Sequence, residues 1–195
     1  MSVCKGAEQA PISRHALIAG DKKAAWDEQT RQVKSQAVDM LILILSFSVA
    51  LLDQVTKYLI RKNLVPGECI EAIPGLFNIS YVRNTGAAWG MLSGFGNLLI
   101  ILSLVMLVVI VFFRKHFLTD TLTHRIATGL MLAGIVGNLI DRIRLGYVVD
   151  FLDFHWSMHH FPSFNVADSA ICIGVGLYMV SQVFLEKKAR EEAEA

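Results

Sequence analysis

A run of sixteen residues without one charged side chain, LLIILSLVMLVVIVFF at 98–113, constrains this chain more than any other feature. A stretch that apolar and that long matches a bilayer core of about 30 Å better than the one-sided surface of a water-soluble helix. Three further apolar runs accompany it. The first, MLILILSFSVALL at 40–52, reaches spanning length with Val55, Tyr58, Leu59 and Ile60, beyond Asp53 and Lys57. The third covers 126–140 and carries Gly129, Gly134 and Gly137; the fourth covers 166–185 and carries Gly174 and Gly176. Such glycines let membrane helices approach closely. The expected fold is therefore an all-α membrane protein of four transmembrane helices, at about 38–60, 94–114, 124–143 and 165–186.

Composition agrees, with 54% of the 195 residues hydrophobic and only 18% charged. A net charge of +1, from 18 basic and 17 acidic residues, offers no field that would gather nucleic acid. Cys4, Cys69 and Cys172 lie far apart with no CxxC, so neither a disulfide framework nor a cysteine metal site is indicated. Residues 1–37, rich in Lys, Asp, Glu and Gln, lack the apolar core of a secretory signal and read as a solvated arm; 188–195 read as a polar tail.

Orientation follows from Lys and Arg, which stay on the cytoplasmic side of short loops. Twelve lie in the arm, the loop between the second and third runs, and the tail; five (Arg61, Lys62, Arg83, Arg142, Arg144) lie on the other side. Both termini are expected to be cytoplasmic. The segments 61–92 and 143–165 then face outward, the first as a small β-hairpin or cradle turning at Pro74-Gly75, the second as an aromatic-rich outer loop.

Ionisable residues at membrane depth are costly, and Asp53, Lys57, Asp141, Arg142, Asp150 and Asp168 all fall toward the outer ends of the spans. Two carboxyls brought within a few ångströms cannot both ionise and hold one proton between them, which is enough to activate water against a peptide bond. Each acid taken singly fits equally well as a buried group satisfied by Arg142 or by helix amides. A metal-dependent hydrolase using Asp150, Asp153, His155 and His159, with His160 nearby, is an alternative that predicts chelator sensitivity. A proton-coupled transporter would spread its acids across the bilayer, whereas these cluster on one side.

Four strings add to this: DQVTK at 53–57, NTGAA at 84–88, GNLIDRIRLGYVVD at 137–150, and NVADS at 165–169. In this order they resemble the motifs of lipoprotein signal peptidases, the signal peptidase II family of aspartyl proteases. The resemblance implies an endopeptidase of the bacterial inner membrane. It would remove the signal peptide of prolipoproteins just before a diacylglyceryl-modified cysteine. It implies Asp150 and Asp168 as the catalytic pair. Asn84, Gly86, Asn138, Arg142 and Asn165, with Asp53, Lys57 and Asp141, would bind substrate or support the site. It further implies no cofactor, no metal and no nucleic-acid partner. Prolipoproteins, membrane lipid and globomycin-like cyclic peptides are the expected partners of a monomer.

Overall fold

A computed structural model describes residues 14–87, 90–117, 121–156 and 159–194. Its elements are α1 (Arg14–Asn63), β1 (Cys69–Ile73), β2 (Phe77–Asn84), α2 (Gly96–Phe117), α3 (Leu122–Leu145), β3 (Val148–Trp156), β4 (His159–His160) and α4 (Val166–Glu194). The chain divides into two units at Met40 and Leu41.

In the first unit the described residues, from Arg14 onward, are helical. The reason is local: between Asp21 and Asp39 the sequence has neither Gly nor Pro and is rich in Ala, Lys and Gln, all strong helix formers. Residues 1–13 lie outside the described part. The expected tail is likewise helical, as α4 runs on to Glu194.

Among the described residues, Met40–Asn63, Leu122–Leu145 and Val166–Glu194 are long and apolar enough to cross a membrane, and Gly96–Phe112 is a shorter apolar helix. Large apolar side chains such as Phe47, Leu51 and Leu52 of α1, Ile101 and Phe112 of α2, and Val183 and Phe184 of α4 are exposed. In water such a surface would aggregate; in lipid it is the solvated one.

Glycines set the helix contacts, as the sequence pattern implies. A Cβ on Gly134 would collide with the Ala167 carbonyl, and one on Gly174 would stand 2.8 Å from the Ala127 carbonyl, so α3 and α4 touch backbone to backbone. Gly129 gives Leu45 room on α1, but Gly176 meets nothing. Ser46 Oγ donates to the Gly129 carbonyl at 3.0 Å, joining α1 to α3.

The polar ends are built by caps. Thr121 opens α3 by accepting from the His124 amide. Gly146, at φ 77° in the left-handed region that favours glycine, closes it with its N–H on the Arg142 carbonyl. The chain then leaves directly into β3.

The expected hairpin is present: β1 and β2 are antiparallel and joined by a turn containing Gly75 (φ 72°). The expected outer loop is different. Residues 148–156 form a strand that pairs with β2, giving a four-stranded antiparallel sheet in the order β1-β2-β3-β4. Its register sets Asp150 opposite Val82 and Val148 opposite Asn84. Aromatic density suggests an interfacial loop, yet Val148, Val149 and Phe151 are buried. Val149 packs with Leu64 and Tyr81 between the end of α1, the sheet and the end of α3.

Candidate active site

Acids and amides from α1, α3, α4 and the sheet meet where β3 leaves the end of α3. At the base lies Lys57, 2% exposed, one helical turn after Asp53 on α1. Its ammonium has three donors and three acceptors: Asp53 Oδ2 at 2.9 Å, Asp141 Oδ2 at 3.2 Å and Asn138 Oδ1 at 3.0 Å. One cation thus balances two buried carboxylates, the arrangement in which buried charge is tolerated.

Both acids also hold backbone. Asp53 Oδ1 accepts from the Ala167 amide at 2.9 Å, in the first turn of α4, and Asp141 Oδ2 accepts from the Val149 amide at 3.0 Å, beside Asp150. The Lys57 cluster therefore anchors the two segments that carry Asp168 and Asp150. Gln54, not singled out from the sequence, closes the group by donating to Asp141 Oδ1, the Gly137 carbonyl and Asp53 Oδ2. Gly137 is required here: a Cβ would stand 2.6 Å from Asp53 Oδ2.

Above this base, Asn165 opens α4. Its Oδ1 accepts from the Asp168 amide at 2.9 Å while Asp168 Oδ2 accepts from the Asn165 amide at 3.2 Å, a reciprocal cap of the capping-box type. The Asn165 Nδ2 donates to Asp150 Oδ1 at 2.7 Å. A single side chain therefore holds Asp150 and fixes Asp168. The Asn138 Nδ2 donates to Asp168 Oδ1 at 2.7 Å, and its Oδ1, already on Lys57, accepts from Asn165 at 3.3 Å.

The other oxygen of Asp150, Oδ2, accepts from Asn84 Nδ2 at 2.9 Å, at the end of β2. Asn84 is held in turn by the Gly86 amide, 2.9 Å from its Oδ1. Gly86 is buried, and a Cβ there would stand 2.5 Å from the Met91 carbonyl, so no other residue fits the turn. The Arg142 Nη2 donates to the Gly86 carbonyl at 3.2 Å. Its charge also acts on Asp168, Asp150 and Asp141. The direct partner of Asp141 is Lys57, while the direct hydrogen bond of Arg142 braces the 84–86 turn.

Asp150 is 1% exposed and Asp168 partly open. Burial, and then the charge of Asp168, push the Asp150 carboxyl from its ordinary 3.8 up to about 7, against hydrogen bonds from Asn84 and Asn165 that favour the ionised form. Chemically, this is a pair of acids, one of them titrating near neutrality, ringed by amides that cannot themselves titrate.

All ten residues singled out from the sequence, Asp53, Lys57, Asn84, Gly86, Asn138, Asp141, Arg142, Asp150, Asn165 and Asp168, belong to this one network. The alternative metal set is not brought together. Asp153, His155 and His160 cluster on β3 and β4, and the cluster includes neither Asp150 nor His159. In that group burial pushes Asp153 up, but hydrogen bonds from His160 and Asn78 outweigh it and hold the carboxyl below 3.8. A second feature unread in the sequence is the Arg83 guanidinium over the rings of Tyr81 and Tyr147, whose hydroxyls are 3.0 Å apart.

Residues 45–184 match the family model described as signal peptidase (SPase) II. The chain is 43% identical to the lipoprotein signal peptidase of Syntrophotalea carbinolica over 73% of its own length and 90% of that protein. It is 41% identical to that of Bacillus pumilus over 78% and 98% respectively. It also resembles a solved bacterial membrane enzyme at TM-score 0.67 and 39% identity, covering 73% of this chain and 87% of that one. A second such structure matches at TM-score 0.64 and 40% identity, over 72% and 91%. The matched segment contains the whole Lys57, Asp150 and Asp168 network, and the chain belongs to the signal peptidase II family, aspartic proteases that cleave signal peptides from prolipoproteins.

Proposed function

We propose that Asp150 and Asp168 are the catalytic acids of this peptidase and that they cut one peptide bond with a single shared proton. The observation that carries the assignment is Asn165, whose amide nitrogen holds Asp150 while its carbonyl oxygen caps the Asp168 amide. In this reading the proton rests on Asp150, where burial favours it, and Asp150 donates to the carbonyl oxygen of the scissile bond. Asp168, more open, takes a proton from the attacking water. When the tetrahedral gem-diol collapses, Asp168 gives its proton to the leaving amine as the C–N bond breaks and Asp150 takes one back from the gem-diol hydroxyl that becomes the new carbonyl, so the pair returns to its starting state. No covalent intermediate with the protein is needed.

The proposed substrate is a prolipoprotein whose cysteine carries a diacylglyceryl group, cut just before that cysteine. Two acyl chains, at about 0.8 kcal/mol per buried methylene, keep such a substrate in the bilayer and require a site at its edge. Four crossings are proposed, with α2 as the short one, both termini cytoplasmic and the sheet with its acid pair on the periplasmic side of the bacterial inner membrane. The distribution of Lys and Arg supports this orientation. Residues 38–187 form the peptidase domain in this reading, flanked by the cytoplasmic arm and tail, and the working unit is a monomer. Globomycin-like cyclic peptides are proposed to occupy the same site.

Purified protein incubated with a diacylglyceryl-modified prolipoprotein tests the assignment. Cleavage that is blocked by globomycin, and lost in both Asp150→Asn and Asp168→Asn, is expected. Turnover retained in either variant removes that residue from the pair. Equal cleavage of the unmodified precursor overturns the substrate assignment.

A further inference from the structure

On the sheet, away from the acid pair, a second polar cluster has a buried nitrogen without a hydrogen-bond partner among the described residues. Asp153 and His155 on β3 and His160 on β4 present ligand atoms that all lie within 4.8 Å of one another. Asp153 Oδ1 is 3.1 Å from His160 Nδ1, and the His155 and His160 rings stack with centroids 5.0 Å apart. The Nδ1 of His155 is buried and meets no hydrogen-bond partner among the described residues. Neutral imidazole leaves that position costly unless something accepts or donates there.

Two imidazoles and one carboxylate are a donor set suited to zinc and similar first-row transition ions. Ligands about 2.0–2.2 Å from a tetrahedral zinc stand roughly 3.4 Å from each other, so the cluster closes with an inward movement of about an ångström. The carboxylate already has the support that metal ligands have elsewhere: its other oxygen, Oδ2, accepts from the buried Asn78 Nδ2 at 3.0 Å. His160, about half exposed, leaves a path for the ion from solvent.

We infer that Asp153, His155 and His160 form a binding site for a zinc-like divalent transition ion that fastens β4 to β3. His155 and His160 are paired across the two strands, so one ion would lock their register. Asn78 pairs with Asp153 as Val82 pairs with Asp150, so the locked region lies on the same two strands that present the proposed catalytic acid. The role is positional, and the ion takes no part in peptide cleavage. This separates the site from a metal-hydrolase mechanism and makes it independent of the acid-pair assignment.

The test uses full-length protein in detergent micelles, with any histidine tag removed. Titration with Co2+, followed by its visible absorption and displaced by Zn2+, is expected to give one site per chain and a higher unfolding temperature when loaded. His155→Ala and His160→Ala should each abolish saturable binding, and Asn78→Ala should weaken it by about 10–100-fold. Because His160 is a surface residue, its substitution leaves a folded protein in which the loss is interpretable. Asp150→Asn should bind as the wild type does. Absence of a saturable site, binding unaffected by either histidine substitution, or loss of binding in Asp150→Asn each overturns the inference.

Discussion

Replacing Asp150 by Asn should reverse its effect on stability as pH changes. A carboxyl raised from 3.8 to about 7 binds its proton more tightly in the folded protein than in the unfolded one. Below pH 3.8 both states carry the proton and Asp150 costs nothing. Between 3.8 and about 7 the folded state loses stability with rising pH, and above 7 the loss is complete. At about 1.4 kcal/mol per pH unit the full penalty is on the order of 4 kcal/mol. An asparagine at this position would carry no such penalty at any pH. It would have a fixed one instead, because its NH2 would face a donor: Asn165 Nδ2, 2.7 Å from the present Oδ1, or Asn84 Nδ2, 2.9 Å from the present Oδ2. Neither neighbour turns over freely, since Asn165 Oδ1 is committed to Asp168 and Asn84 Oδ1 to Gly86. That mismatch costs about 1–3 kcal/mol. Asp150→Asn should therefore be close to wild type in stability, or below it, at about pH 5 and more stable at about pH 8, the difference moving by roughly 3 kcal/mol between them. Unfolding of both proteins in detergent across that range measures it. A stability difference that stays constant over the whole range would refute a raised carboxyl at this position.

Lys57→Met leaves Asp53 and Asp141 buried without a counter-charge and should destabilise the protein by about 3–5 kcal/mol, seen as loss of folded protein in detergent. Gly86→Ala should shift the turn that holds Asn84 and lower cleavage by about 10²-fold with little change in the yield of inserted protein, measured on the lipid-modified precursor. Arg142→Ala removes the brace on the same turn and should lower kcat/KM in the same direction, with Asp141 still paired to Lys57. Cys69, exposed on β1, reports topology: in intact spheroplasts of a strain expressing Cys172→Ser protein, a membrane-impermeant maleimide should label Cys69, and Cys4 only after lysis. Labelling in the opposite order reverses the proposed orientation.

The helices are legible because lipid imposes a simple rule on sequence: apolar runs near 20 residues, with charge excluded. Most of the site is legible for a related reason, since each of Asp53, Lys57, Asp141 and Asp168 is too costly at membrane depth to be there without a partner. Which partner each takes is not. Lys57 lies four residues from Asp53 on one helix, but its contacts with Asn138 and Asp141 come from α3, and no local spacing encodes them. Gln54 gives no signal because an amide carries no charge penalty to flag it, although it donates to two of the buried acids. The strand β3 reads as loop because its buried Val148 and Val149 precede the aromatic, more exposed Phe154 and Trp156, so no alternation marks it. Its pairing with β2, more than sixty residues earlier, is what makes it a strand.

If Asp150 and Asp168 share a proton, infrared titration of the Asp150 carboxyl shows it most directly. In the wild-type protein the protonated carboxyl band, identified by its absence in Asp150→Asn, should disappear at about pH 7. In Asp168→Asn, with the neighbouring charge removed, the same band should disappear at a clearly lower pH. An Asp150 that titrates at the same pH whether or not residue 168 is an acid would contradict the shared proton.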